Sequence, residues 1–172
     1  MTQDPQMAQW ALEDWQRASD GKLKLERTTY RSQANIRVHW VAEAQGLYGE
    51  ARAFQEGNLI GAEVYVDLSS AARPDALLRD AIVYLTCLHE TGHALGLAHT
   101  DQFPDIMYSF QFGGDIPEYF GRYRRKLSTR ADIAKTSAIS PNDRQRLLIV
   151  LSRYPSSVAE LRRPDSSILR PR

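Results

Sequence analysis

The eleven residues from His89 to His99 constrain this chain more than any other part of it: His-Glu-Thr-Gly-His-Ala-Leu-Gly-Leu-Ala-His. On an α-helix, residues i and i+4 stand one above the other, so His89 and His93 can both present an imidazole nitrogen to one cation. Glu90 falls beside that cation without joining its ligands, within reach of a bound water. Gly96 permits the left-handed backbone that ends a helix and turns the chain. Such a turn returns His99 beneath the helical pair as a third ligand. Three protein nitrogens with the fourth position left to water is the arrangement of a catalytic zinc, whereas structural zinc sites are closed. A helix with two satisfied histidines and an unrelated third is the weaker reading, because three of the four histidines in the chain lie here. One catalytic Zn2+ is the cofactor expected.

Length and composition bound the rest. With 172 residues, 42% of them apolar and 25% charged, the chain suits a single soluble domain over 1–172, with its core over about 5–154. No apolar run approaches the roughly 20 residues that cross a bilayer, so no membrane partner is expected. The single cysteine, Cys87, excludes an internal disulfide and reads as a buried core thiol. The net charge of +1 hides an asymmetry: residues 1–120 carry 9 Lys/Arg against 17 Asp/Glu, and residues 121–172 carry 13 against 4. Such a split points to charge pairing within the fold or to an acidic partner. A nucleic-acid partner is not expected, since the basic third lacks a recognisable motif and interleaved aromatics.

Local signals place the segment on a scaffold. Asp4-Pro5 opens a helix anchored by Trp10 and Trp15 and stopped by Gly21. Alternating stretches at 22–26, 35–41, 48–54 and 59–68 read as strands, the last two forming a hairpin across Gly57-Asn58. Pro74-Asp75 opens the helix that carries the histidines. Residues 97–139 are aperiodic and too long for an idle connection. Ser140-Pro141, with Asp143 at the third helical position, opens a last helix running to Tyr154. The Pro-, Ser- and Arg-rich stretch 155–172 reads as a mobile tail.

With its HExxHxxGxxH pattern followed by Asp105-Ile106-Met107-Tyr108, the chain resembles the metzincin zinc peptidases, whose second signature is the Met-turn. Among metzincins it is most similar to the matrixins. The step from His99 to Met107, the Met-Tyr pair and Ser140-Pro141-Asn142-Asp143 all match matrixin usage. The resemblance implies an α+β metzincin fold: a twisted, mostly parallel sheet of about five strands, three main helices, and zinc in the cleft between an upper and a lower subdomain. It implies Met107 as an apolar floor under the ligands, Asp143 hydrogen-bonding beneath the Met-turn, and a zinc endopeptidase with Glu90 as general base. It also implies an extracellular or surface-directed destination. The segment Met1–Trp10 shows no signal peptide, which leaves the cytoplasm open.

The departures from the pattern carry information too. Animal matrixin domains hold a second, structural zinc on three further histidines and an aspartate. Only His39 is left here, so no second zinc is expected, and His39 itself reads as structural. The calcium requirement stays open, with Asp67 near one family site. Asn142 replaces the first aspartate of a family pair, which puts the usual tie to the amino terminus in doubt. Ser109 stands where astacin-like relatives carry a tyrosine ligand.

For a polypeptide substrate, the resemblance implies an edge strand at Gly49 to Phe54, with Gly49, Ala51 and Ala53 along it. An ordinary hydrophobic strand explains those residues equally well. The main specificity pocket maps to Leu85 and to Tyr108 through Phe112, including Ser109 and Phe110, and Leu85 suggests an apolar P1′ preference. The basic run Arg122, Arg124, Arg125 and Lys126 either favours acidic residues on the primed side or is a solvated loop. The chain is expected to act as a monomer. Competing readings are an aminopeptidase or narrow processing enzyme, and a zinc-retaining binding module without turnover, against which the intact Glu90 argues.

Overall fold

Pro5 occupies the first turn of α1 (Pro5–Ala18), where its missing N–H costs nothing. The Asp4 side chain makes no cap; its carboxylate pairs with Arg130. The structure, a computed structural model, describes residues 4–42, 48–69 and 74–153; Tyr154 and the tail reading at 155–172 lie outside them. Met7, Ala11 and Trp15 are fully buried on the inner face of α1. The Trp15 indole N–H donates to the Leu88 carbonyl at 2.9 Å, on the helix that bears the histidines. Trp10 is half-buried, with the Arg130 guanidinium over its ring.

Three strands follow, β1 (Ile36–Val41), β2 (Gly49–Glu56) and β3 (Leu59–Asp67), in the spatial order β1-β3-β2. β1 runs parallel to β3, and β2 pairs antiparallel with β3 across the Gly57-Asn58 turn. The described residues therefore form a mixed sheet of three strands, not the mostly parallel sheet of about five that was expected. The segment 22–26 alternates without being a strand. Leu23 and Leu25 are half-buried, and their amides donate to the side chains of Ser19 and Gln16. Alternation reports one-sided burial, and here side-chain acceptors satisfy the backbone that a partner strand would otherwise pair. One face of β1 turns Ile36, Val38 and Trp40 to the core. On the other, Arg37 makes a bidentate pair with Glu56, and His39 stacks on Tyr65 with a centroid separation of 5.0 Å, in keeping with a structural His39.

Helix α2 (Ala76–Ala94) runs through the centre, packed against α1, β2 and β3. Asp75 caps it by accepting the Leu77 and Leu78 amides at 2.9 and 3.0 Å. Ile82, Leu85, Cys87 and Leu88 are buried along it. At 19 residues it is still too polar to span a bilayer, and no described helix is long and apolar enough to do so.

The aperiodic stretch 97–139 holds a helix, α3 (Ile116–Arg124), which no apolar periodicity announces. Nine residues give barely two turns of pattern, and the buried ones, Tyr119, Phe120 and Tyr123, are aromatic. α4 (Pro141–Ser152) begins with the expected capping box between Ser140 and Asp143. The charge asymmetry resolves into ion pairs within the fold: Arg124–Asp75, Arg130 with Asp4 and Asp80, and Arg144–Asp20. Each joins the basic third to the acidic remainder.

Candidate active site

The last turns of α2 carry His89 and His93 on one face, and Gly96, at φ +93°, turns the chain after Leu95. The His89 Nδ1 lies 2.7 Å from the Ile106 carbonyl and the His93 Nδ1 lies 2.8 Å from the Leu97 carbonyl. A carbonyl can only accept, so both Nδ1 atoms carry the hydrogen and both Nε2 atoms expose a lone pair. The Nε2 of His99 stands 3.1 Å from that of His89 and 3.0 Å from that of His93. Zinc–nitrogen bonds of about 2.0–2.1 Å at tetrahedral angles would place ligand nitrogens about 3.3 Å apart, so the cradle fits that cation closely. Among the described residues this is the group of His, Cys, Asp and Glu side chains that converges on a metal-sized point.

Burial tunes these groups towards metal binding. It pushes His89 down to about 3, with the neighbouring imidazoles adding to the effect. His93 and His99 are lowered too, first by burial. The neutral form that binds a metal is thereby the resting form at neutral pH. Burial also raises the Glu90 carboxyl, helped by the charge of Glu50, to about 8. A group poised near neutrality can take and return a proton.

Beside Glu90 lies a cleft of about 430 Å³. One wall is the open edge of β2 and the other is the segment from Tyr108 to Gln111. Leu85, Tyr108, Ser109, Phe110, Gly49 and Ala51 all line it together with the three histidines. Ala53 does not; it is exposed, about 7 Å further along the strand than Ala51 at the rise of extended chain. Gly49 has a steric reason to be glycine, because a Cβ there would come 2.9 Å from the Glu90 Cγ and 2.7 Å from the Tyr65 carbonyl.

Met107 is fully buried directly under α2. A Cβ on Gly92 would overlap its sulfur. Asp143 accepts the amides of Ile106 and Met107 at 2.7 and 3.3 Å, as the resemblance implied. Asn142 donates to the Asp105 carboxylate at 2.6 Å, which gives that residue a partner in the segment before Met107.

Four lining residues went unnamed in the sequence reading of the pocket. Tyr48, Thr86, Tyr119 and Phe120 all face the cleft. Tyr119 does more, since its hydroxyl donates to the carbonyls of Asp105 and Ile106 at 3.1 and 3.0 Å. Gly92 was legible in principle, because an isolated glycine inside a helical pattern signals close packing. Among the aromatics of residues 103–123, Tyr108, Tyr119 and Phe120 belong to the buried core and also wall the cleft with Phe110, Phe103 packs against the core, Tyr123 stacks on Tyr84, and Phe112 is exposed. In the basic run, Arg122 donates to the Phe103 and Pro104 carbonyls, Arg124 pairs with Asp75 and Arg125 with Glu118. Three of its four charges are thus engaged within the fold, which neither reading of that run foresaw.

A histidine cradle with one side open to a cleft, and a protonatable carboxylate beside it, is the kind of centre that metallopeptidases use. Comparison with known proteins agrees, for the family model described as Matrixin matches residues 2–115. The chain belongs to the matrixin family. It is also 37% identical over 67 residues to the interstitial collagenase of Oryctolagus cuniculus. That match covers 38% of this chain and 14% of the collagenase, so the similarity concerns a small part of the relative. No solved structure matches the chain significantly.

Proposed function

We propose that this chain is a zinc endopeptidase that hydrolyses extended polypeptides in the cleft beside Glu90. The observation that carries the reading is the convergence of three imidazole Nε2 atoms, two with their tautomer fixed, on a point open to the cleft that Glu90 lines. His89, His93 and His99 would hold a zinc ion, which would supply Lewis acidity and lower the pKa of a bound water towards about 7. Glu90 takes the proton of the attacking water and delivers it to the departing amine. The closeness of Gly49 to Glu90 sets the carboxylate directly beneath the strand edge, where the scissile bond would lie.

Substrate binding follows from the same walls. Among the described residues β2 is an edge strand, to which an extended peptide can add as a further strand. The cavity beyond Glu90, with Leu85, Tyr119 and Phe120 among its lining, suits an apolar side chain after the cleaved bond. Family membership supports an extracellular or surface-directed destination.

The test uses internally quenched peptides beside substrates with a free amino terminus, with and without chelator, together with metal analysis. Endopeptidase cleavage that chelator abolishes and one equivalent of zinc restores is the expected result. E90Q should bind zinc stoichiometrically without turning over. Substantial hydrolysis by zinc-loaded E90Q, or cleavage insensitive to chelator, overturns the proposal.

A further inference from the structure

We infer that Arg146, on α4, is a positioning residue that holds the third zinc ligand in place; the inference rests on the zinc reading above. The three histidines are not equally secured. His89 and His93 stand on α2, and each is oriented by a carbonyl at its Nδ1. His99 lies beyond the helix and is exposed. Among the described residues, its ring makes hydrogen-bonding contacts only with the other two imidazoles. Its position therefore depends on how its backbone is held.

That backbone is gripped on two sides. On one, the Thr100 amide donates to the Met107 carbonyl at 2.9 Å and the Ser109 amide donates to the Thr100 carbonyl at 3.1 Å. On the other, Nη2 of Arg146 donates to the Ala98 carbonyl at 2.9 Å and lies 3.5 Å from that of His99. Arg146 follows Asp143 by three residues, so both project from one face of α4. Asp143 collects the amides of Ile106 and Met107, and Arg146 collects the carbonyls of the His99 segment. One helix face thus clamps both chain segments that complete the cradle, a carboxylate on donors and a guanidinium on acceptors. The Nη1 of Arg146 is buried with no hydrogen-bond partner among the described residues. The guanidinium gives up water to stay there, which ordinary surface placement would not require.

Charge and geometry pull in opposite directions, and this makes the inference testable. A guanidinium near the cradle repels a cation, so on charge alone its removal would tighten metal binding. Positioning predicts the reverse, because groups that orient metal ligands typically contribute roughly 10- to 100-fold in affinity.

The experiment measures zinc affinity by competition with a chromophoric chelator, and the visible spectrum of the cobalt-substituted protein, for wild type, R146L, R146K and R144L. Thermal unfolding of the metal-free forms reports on folding separately. R146L should bind zinc roughly 10- to 100-fold more weakly, with an altered cobalt spectrum. R146K, which keeps a single donor, should fall between R146L and wild type. R144L removes an exposed charge from the same helix and should match wild type. Affinity of R146L equal to or tighter than wild type overturns the inference while leaving the zinc reading intact. Should R146L not fold, an R146K protein with unchanged affinity and spectrum overturns it equally. A wild-type chain that binds no zinc removes the reading itself.

Discussion

The Asp143 carboxylate accepts the amide hydrogen of Ile106 at 2.7 Å. The carbonyl of the same Ile106 accepts the Nδ1 hydrogen of His89 at 2.7 Å. Ile106 thereby links the cap of α4 to His89. D143A leaves the amides of Ile106 and Met107 buried without an acceptor. At about 1–3 kcal/mol for each of these two groups, the expected loss is about 2–6 kcal/mol in urea unfolding. D143N keeps one acceptor oxygen and should lose less; equal stability of D143A and wild type would sink this account of the link.

Relative to E90Q, the metal-free wild type should lose stability as pH rises from about 6.5 to about 8. The sign follows from Glu90, whose folded carboxyl is raised to about 8 by burial, so the native state holds a proton that the unfolded state has released. His89, His93 and His99 act oppositely but lower down. They are depressed in the fold, so their contribution rises with pH until about one unit above 6.5, where the unfolded imidazoles have finished titrating, and it is common to wild type and E90Q. Chemical unfolding of chelated wild type and E90Q at pH 6.5, 7.25 and 8 checks this. The stability of wild type should fall against that of E90Q across this range, and a constant difference between the two would rule Glu90 out.

Gly92 should not tolerate a methyl group. Its Cβ would overlap the Met107 sulfur and approach Trp15 at 3.0 Å, and both side chains are fully buried. Overpacking of this kind costs about 1–3 kcal/mol, and the strain falls on the helical turn between His89 and His93. G92A should therefore lose both stability and zinc affinity. M107A in the same background should recover part of the stability, and a purely additive double variant would contradict the proposed contact.

Cys87 should be silent to thiol reagents in the native state. It is fully buried, and burial pushes its thiol well above the ordinary range, which leaves almost no thiolate at neutral pH. A disulfide reagent should titrate no thiol in buffer and one after unfolding. Rapid reaction of the native protein would place Cys87 somewhere other than the α2 core.

The parts of this molecule that were legible beforehand depend on short-range geometry. The four-residue step from His89 to His93 is a helical repeat, and Gly96 is one of the few residues that adopts the φ of +93° found there. Ser140 and Asp143 bond to each other's backbones within one turn, so their spacing alone announced a helix start. The strand at 22–26 misled for the same reason in reverse. Its alternation was real, but pairing is a long-range property, and Ser19 and Gln16 supplied the acceptors instead. α3 escaped notice because its inward face is aromatic and only nine residues long.

By itself, then, the sequence determined the candidate metal site. The ligand types, their neighbour Glu90 and the turn that returns His99 all lie within eleven residues, where backbone geometry leaves little choice. Only the tertiary structure decided what surrounds that chemistry. Gly49 meets Glu90 across 41 residues of chain, Asp143 meets Ile106 across 37, and Arg146 meets Ala98 across 48. Contacts at such separations follow from how helices and sheet pack to bury Met107, Trp15 and their neighbours, and no local pattern encodes them.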